Sequence, residues 1–109
     1  MTSQKKNNQT KDSEEQVRLQ SDGQFLITGD LDFHTVPRVW NVSQSLFAGS
    51  KALTIDLSGV ESTNSAGLAL LIEWIRFADS KNCSIKFLNL PEQMRQLAQL
   101  CGVDEKLPV

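Results

Sequence analysis

Apolar residues fall along the chain in spacings that change from segment to segment, and each spacing predicts an element. Val17 and Leu19 alternate with polar neighbours, and "GQFLITG" follows the turn signal Ser21-Asp22-Gly23. This pattern predicts two short strands joined as a hairpin. Thr35 is placed to cap a helix whose Val36, Val39, Trp40, Leu46 and Phe47 share one face, and Gly49 is placed to end it. "ALTIDLSGV" reads as a buried strand over Ala52 to Leu57, followed by a polar loop. "CSIKFLNL" predicts another strand, and Pro91 opens a last helix with Met94, Leu97, Ala98 and Cys101 on one face and Gly102 just past its end.

Between these lies "STNSAGLALLIEWIRFA", Ser62 to Ala78, a polar loop running into a helix with two apolar stripes. At about 100° per residue, Leu68, Leu71, Ile72 and Ile75 form one stripe, which is expected to face the sheet. Leu70, Trp74 and Phe77 point to nearly the opposite side. Any one of them, Leu70 first, could pack on a neighbouring helix. As a group they predict an outward docking patch, since Trp and Phe anchor protein interfaces. Trp40 fits the core stripe of the first helix, with contact to a partner as its other use. Ser65 stands just before the first apolar turn, where its hydroxyl can cap the helix. The same position favours negative charge and is open enough for phosphorylation or contact with a partner. Ala66 and Gly67 are small and are expected to leave the backbone open to close approach.

The order strand, strand, helix, strand, helix, strand, helix predicts an α/β fold. A mixed sheet of about four strands with parallel βαβ units should carry its helices mainly on one face. Residues 1–15 contain a single apolar residue, Met1, and read as a disordered polar tail. Residues 16–109 then form one domain, long enough for one hydrophobic core and too short for a second.

Charge and composition narrow the chemistry. The formal net charge is −2, with both signs interspersed over most of the length, so nucleic acid and direct membrane insertion are not expected. Cys83 and Cys101 lack metal-ligand spacing, and the single His34 is far from both, so no metal or cofactor is expected. Cys83 reads as a strand-start residue and Cys101 as a core residue of the last helix. No apolar run reaches the roughly 18 residues of a membrane span, and no apolar h-region marks a signal peptide; the expected location is the cytoplasm, with both thiols reduced. Asp30, Asp32 and His34 have the residue types of an acid/base site, but nothing identifies the cleft or second group that such chemistry needs. Asp32 and His34 are expected to hydrogen-bond the turn into the first helix, and the protein is expected not to be an enzyme. No glycine-rich phosphate loop occurs, so any nucleotide belongs to a partner.

"GDLDFHT" and "IDLSGVESTNSAGLALL" resemble the STAS domain family over about Gly23 to Cys101. The strand-loop-helix motif of its SpoIIAA-type anti-sigma factor antagonists reads Asp-Ser-Ser-Gly-Leu. "SAGLALL" is closer still to the Thr-Gly-Gly-Leu-Ala-Leu-Leu of the MlaB branch, the STAS subunits of Mla phospholipid ABC transporters, and "VPRVW" to that branch's Leu-Pro-Leu-Trp. The resemblance implies a STAS fold. It further implies a cytoplasmic subunit, peripheral to the inner membrane, that binds an MlaF-like ATPase within a complex of permease and lipid-binding subunits maintaining outer-membrane lipid asymmetry. The alternative it implies is an anti-sigma factor antagonist whose partner is a kinase. Ser65 matches the phosphorylated serine of the antagonists and the functional threonine of the MlaB branch. Asn64 stands where the motif has aspartate, which removes a charge from the loop. The segment with Asp32 and His34 matches the rim of the antagonists' partner surface. The expected binding residues are thus Ser65, Asn64, Ala66, Gly67, Leu70, Trp74, Phe77, Asp32 and His34.

Overall fold

Val17 lies opposite Ile27 and Leu19 opposite Phe25 in the hairpin of β1 (Val17–Ser21) and β2 (Gln24–Leu31). Its turn closes through Gly23 at φ 73°, a left-handed conformation that costs glycine nothing. The computed structural model describes residues 16–109, and the polar tail expected over residues 1–15 lies outside them. From β2 the chain passes through α1 (Val36–Phe47) to β3 (Ala52–Thr63), through α2 (Ser65–Ser80) to β4 (Ser84–Leu88), and on to α3 (Glu92–Leu100). A 3-10 turn, Asp104–Lys106, follows. The strands order β1-β2-β3-β4, with β2, β3 and β4 parallel and β1 antiparallel to β2. This is the predicted mixed α/β sheet.

Alternation along the strands separates the two faces of the sheet. Phe25, Ile27 and Leu31 of β2, Leu53, Ile55 and Leu57 of β3, and Phe87 of β4 are buried. Their neighbours Thr54, Asp56 and Lys86 are more open. Val39 and Phe47 of α1, Leu71 and Trp74 of α2, and Met94 and Ala98 of α3 complete the core from the helical side. The Phe87 amide donates to the Pro108 carbonyl at 2.8 Å, so the chain after the 3-10 turn lies along β4 and shields part of that edge.

The second stripe of α2 is a packing face, which corrects its reading as a docking patch. Trp74 is 0% and Leu70 1% exposed. The Trp74 ring lies 5.5 Å from Phe47 and 6.5 Å from Phe87. Phe77 is half-buried against Trp40, edge to face at 6.1 Å. Of the stripe expected to face the sheet, Leu68 and Leu71 are buried while Ile72 and Ile75 are only half-buried. The line of deepest burial therefore runs between the two stripes, through Gly67, Leu71, Trp74 and Ala78. The cause is position: α2 is the middle helix, in contact with α1 on one side and α3 on the other as well as with the strands. A helix flanked on both sides needs a much wider apolar arc than one lying alone on a sheet.

Smaller departures have local causes. β3 continues past Leu57 to Thr63 because parallel pairing with β2 persists to Leu31 opposite Thr63, across two register shifts. Leu46 and Cys101 are exposed, not core: Leu46 is in the last turn of α1, and Cys101 is the residue at which α3 ends. Thr35 precedes α1 without capping it through its side chain, which is used elsewhere.

Candidate partner-binding site

Parallel strands deliver their C-terminal ends to one edge of the sheet, so the β2–α1 and β3–α2 loops lie side by side there. Three sets of hydrogen bonds shape them. The Ser62 hydroxyl donates to the Asp30 carboxylate at 2.7 Å, tying the strand ends together, and the Asn64 amide reaches the Leu31 carbonyl at 3.3 Å. One Asp32 carboxylate oxygen accepts the backbone N–H groups of His34 (2.8 Å) and Thr35 (3.0 Å), and the Thr35 hydroxyl donates to the Asp30 carbonyl at 2.7 Å while accepting the Asp32 amide at 3.0 Å. The backbone amides of Thr35 and His34 hold the Asp32 carboxyl below its ordinary pKa of 3.8. Asp32 therefore organises the turn as expected, whereas His34 takes part through its main chain.

In the neighbouring loop the cap is Asn64, one residue earlier than expected. Its backbone is extended, and its side-chain oxygen accepts the Ala66 amide at 2.9 Å. Ser65 becomes the first residue of α2, exposed, with its hydroxyl in no hydrogen bond among the described residues. Gly67 is small for packing: a Cβ there would collide with the Thr63 hydroxyl and lie 3.1 Å from Met94 Cε and 3.2 Å from Leu31 Cβ.

Asn64, Ser65, Asp32 and His34 thus gather at one end of the molecule. Ala66, Gly67 and Trp74 are buried and offer no side chain to a partner, and Leu70, 1% exposed, reaches the surface only as part of a cleft lining. Phe77 lies twelve residues beyond Ser65, about 18 Å along α2.

Two features of this face escaped the sequence reading. Phe33, between Asp32 and His34, is 70% exposed. The second is a shallow, largely apolar cleft of about 250 Å³ between α1 and α2, lined by Val36, Pro37, Trp40, Ala69, Leu70 and Glu73. Phe33 belongs to no apolar stripe, and an aromatic isolated among polar turn residues is the signal that marks it. Trp40 packs on Phe77, as its place in the core stripe implied, and its half-buried ring also lines the cleft.

Among the described residues no three His, Cys, Asp or Glu side chains converge as a metal site requires, and no helix is long and apolar enough to cross a membrane. Burial pushes the Cys83 thiol above its ordinary pKa.

Comparison with known proteins places this fold. The chain belongs to the STAS domain family. The matching family model, described as "Mlab, STAS domain", spans residues 14–108. Among solved structures, the anti-sigma factor antagonist SpoIIAA in its unphosphorylated form is similar with a TM-score of 0.60 and 21% identity, over 78% of this chain and 81% of that one. The Bacillus cell fate determinant SpoIIAA in its phosphorylated form gives 0.62 and 21%, over 84% and 86%. Mglu gives 0.57 and 19% identity, over 71% of this chain and 19% of that one. At these identities the structural likeness establishes the STAS fold. No curated protein matches the chain in sequence.

Proposed function

We propose that the protein is a non-enzymatic accessory subunit that binds the ATPase of a Mla-type phospholipid ABC transporter and supports its assembly and ATPase activity. It would act at the cytoplasmic side of the inner membrane, in a complex with permease and lipid-binding subunits that maintains outer-membrane lipid asymmetry. The observation that carries this reading is the match of the Mlab family model over residues 14–108. The end of the molecule at Asn64 and Ser65 supports it, because two hydrogen-bonded loops present a free hydroxyl on a rigid frame. The carboxylates there are committed to structure: Asp32 to two backbone amides and Asp30 to Ser62.

A second reading, an anti-sigma factor antagonist controlled by a kinase, is favoured by one observation. The Ser65 hydroxyl is exposed at a helix start, where a phosphate would meet the positive end of the helix dipole. Co-expression with the transporter ATPase from the same host, followed by co-purification and ATP-hydrolysis rates, tests the first reading. A stable complex that hydrolyses ATP faster than the ATPase alone is expected. Absence of a complex, together with transfer of labelled phosphate from ATP to Ser65 by a host anti-sigma kinase, would replace it with the second.

A further inference from the structure

A different recess opens at the other end of the molecule, where α1 and α2 both finish, about 24 Å along α2 from Ser65. Its volume is about 310 Å³, at the small end of the roughly 300–1,000 Å³ of small-molecule sites. Phe47, Ala48, Phe77 and Cys83 give it an apolar wall, and Ser50, Lys51 and Lys81 supply its polar groups. No carboxylate lines it. Asp22 lines a neighbouring hollow that shares Lys51, and Asp79 lines another together with Arg76. Among the described residues neither acid forms an ion pair with Lys51 or Lys81.

The main chain beneath the two lysines is braced. The Lys81 amide donates to the carbonyls of Phe77 and Ala78 at 3.2 and 3.1 Å, and the Cys83 amide donates to the Ala78 carbonyl at 2.8 Å. The Ser84 amide donates to the Lys51 carbonyl at 3.1 Å, which ties the turn after α2 to the turn before β3. A recess framed in advance loses less entropy when a ligand enters. A cation at a helix end also offsets the partial charge of the last carbonyls, and this accounts for Lys81, the residue at which α2 ends. It does not account for Lys51, four residues beyond the end of α1 and outside the reach of its last turn.

Charge and size together select an occupant. Two ammonium groups beside an apolar wall attract an anionic head and repel a cationic one. At about 30 Å³ for each water-sized group, the recess holds roughly ten of them. That is room for a short alkyl chain with its head, and it is too small for a folded partner element. We propose that this recess binds a short-chain anionic amphiphile, an alkyl carboxylate or alkyl phosphate, with its head between Lys51 and Lys81 and its chain against Phe77 and Cys83. The proposal does not rest on the ATPase reading, since the recess lies at the end of the molecule away from Ser65.

Titration of the isotope-labelled chain with octanoate and with octyl phosphate, followed by amide chemical shifts below the micelle concentration, provides the test. Octanol and octyltrimethylammonium are the neutral and cationic controls. Saturable shifts centred on Ser50, Lys51, Lys81 and Cys83 are expected for the anions, with a millimolar or tighter dissociation constant that weakens as salt is added. The tighter of the two anions identifies the head group. Lys51→Gln and Lys81→Gln should each weaken binding about threefold or more, and the double variant about tenfold or more. Ala48→Trp should block the recess. All three positions are exposed, so melting temperatures should stay within about 3 °C of wild type. Absence of saturable shifts at these residues for both anions would overturn the proposal. So would octanol binding as tightly as octanoate, or the double lysine variant binding within threefold of wild type, because the lysines would then select nothing.

Discussion

The indole N–H of Trp74, on α2, donates to the hydroxyl of Ser43, on α1, at 2.8 Å, and both residues are fully buried. The Ser43 hydroxyl in turn donates a hydrogen bond to the Trp40 carbonyl at 2.8 Å, so one hydroxyl satisfies the indole and fastens the two helices that wall the cleft. A Trp can lie inside a core this small because its polar atom has a partner there.

Ser43→Ala leaves the Trp74 N–H buried without an acceptor and should cost about 1–3 kcal/mol in urea unfolding. In a Trp74→Phe background the same substitution should cost less by about 1 kcal/mol, because the donor is gone. Equal costs in the two backgrounds would show that the bond contributes nothing specific.

The same pair shows where reading the sequence succeeded and where it ran out. Order and type of the elements were legible from Val17 to Gly102, since alternation and helical spacing are local properties. The fate of Trp74 depends on how many neighbours α2 has, and nothing within "LALLIEWIRFA" states that number. Both stripes were correctly seen as apolar, and Leu68 and Leu71 of the first are buried as expected; it is the outward destination of the second, with Trp74 and Leu70, that was wrong. The extension of β3 to Thr63 comes from backbone pairing with β2 and leaves no mark on the side-chain pattern of "SGVEST". At the candidate site the motif placed Asn64, Ser65, Asp32 and His34 correctly at one end. It interchanged cap and first helical residue between Asn64 and Ser65, a one-residue distinction that rests on a single hydrogen bond. Phe33 was overlooked because a stripe-based reading gives no weight to an apolar residue outside every stripe.

Gly67→Ala should destabilise the protein, against the usual gain of roughly 0.5–1 kcal/mol from replacing a helical glycine by alanine. The added methyl meets the Thr63 hydroxyl at the junction of β3 and α2, with Leu31 and Met94 close behind. Chemical denaturation of Gly67→Ala, alone and with Thr63→Ala, checks this. The second change should recover stability, and a stabilised single variant would contradict the packing described.

Stability should fall in acid partly through Asp32. Its folded pKa lies below the ordinary 3.8, chiefly through the Thr35 amide and then that of His34. Around and below the unfolded-chain value, about 3.9, the unfolded state binds more protons, so this contribution is complete only above about pH 5 and is lost as pH falls through the folded value. Asp56 adds in the same direction, led by its hydrogen bond from the Asn89 side chain. In Asp32→Asn, stability plotted against pH below about 5 should be flatter than in wild type. An unchanged slope would mean that the carboxylate is not held by the turn.

The claim that the end carrying Ser65 is the partner-binding face is tested most directly by the dissociation constant of the transporter ATPase for three proteins: wild type, Ser65→Lys and Gln99→Lys. Both substitutions add the same side chain at exposed helical positions, one at the start of α2 and the other on α3. Asn64 caps α2, so Ser65→Lys should cost no more than about 1 kcal/mol of stability through the helix dipole. The expected result is binding by wild type and Gln99→Lys within threefold of each other and a loss of about tenfold or more for Ser65→Lys. Wild-type affinity in Ser65→Lys, with the protein folded, would contradict the account.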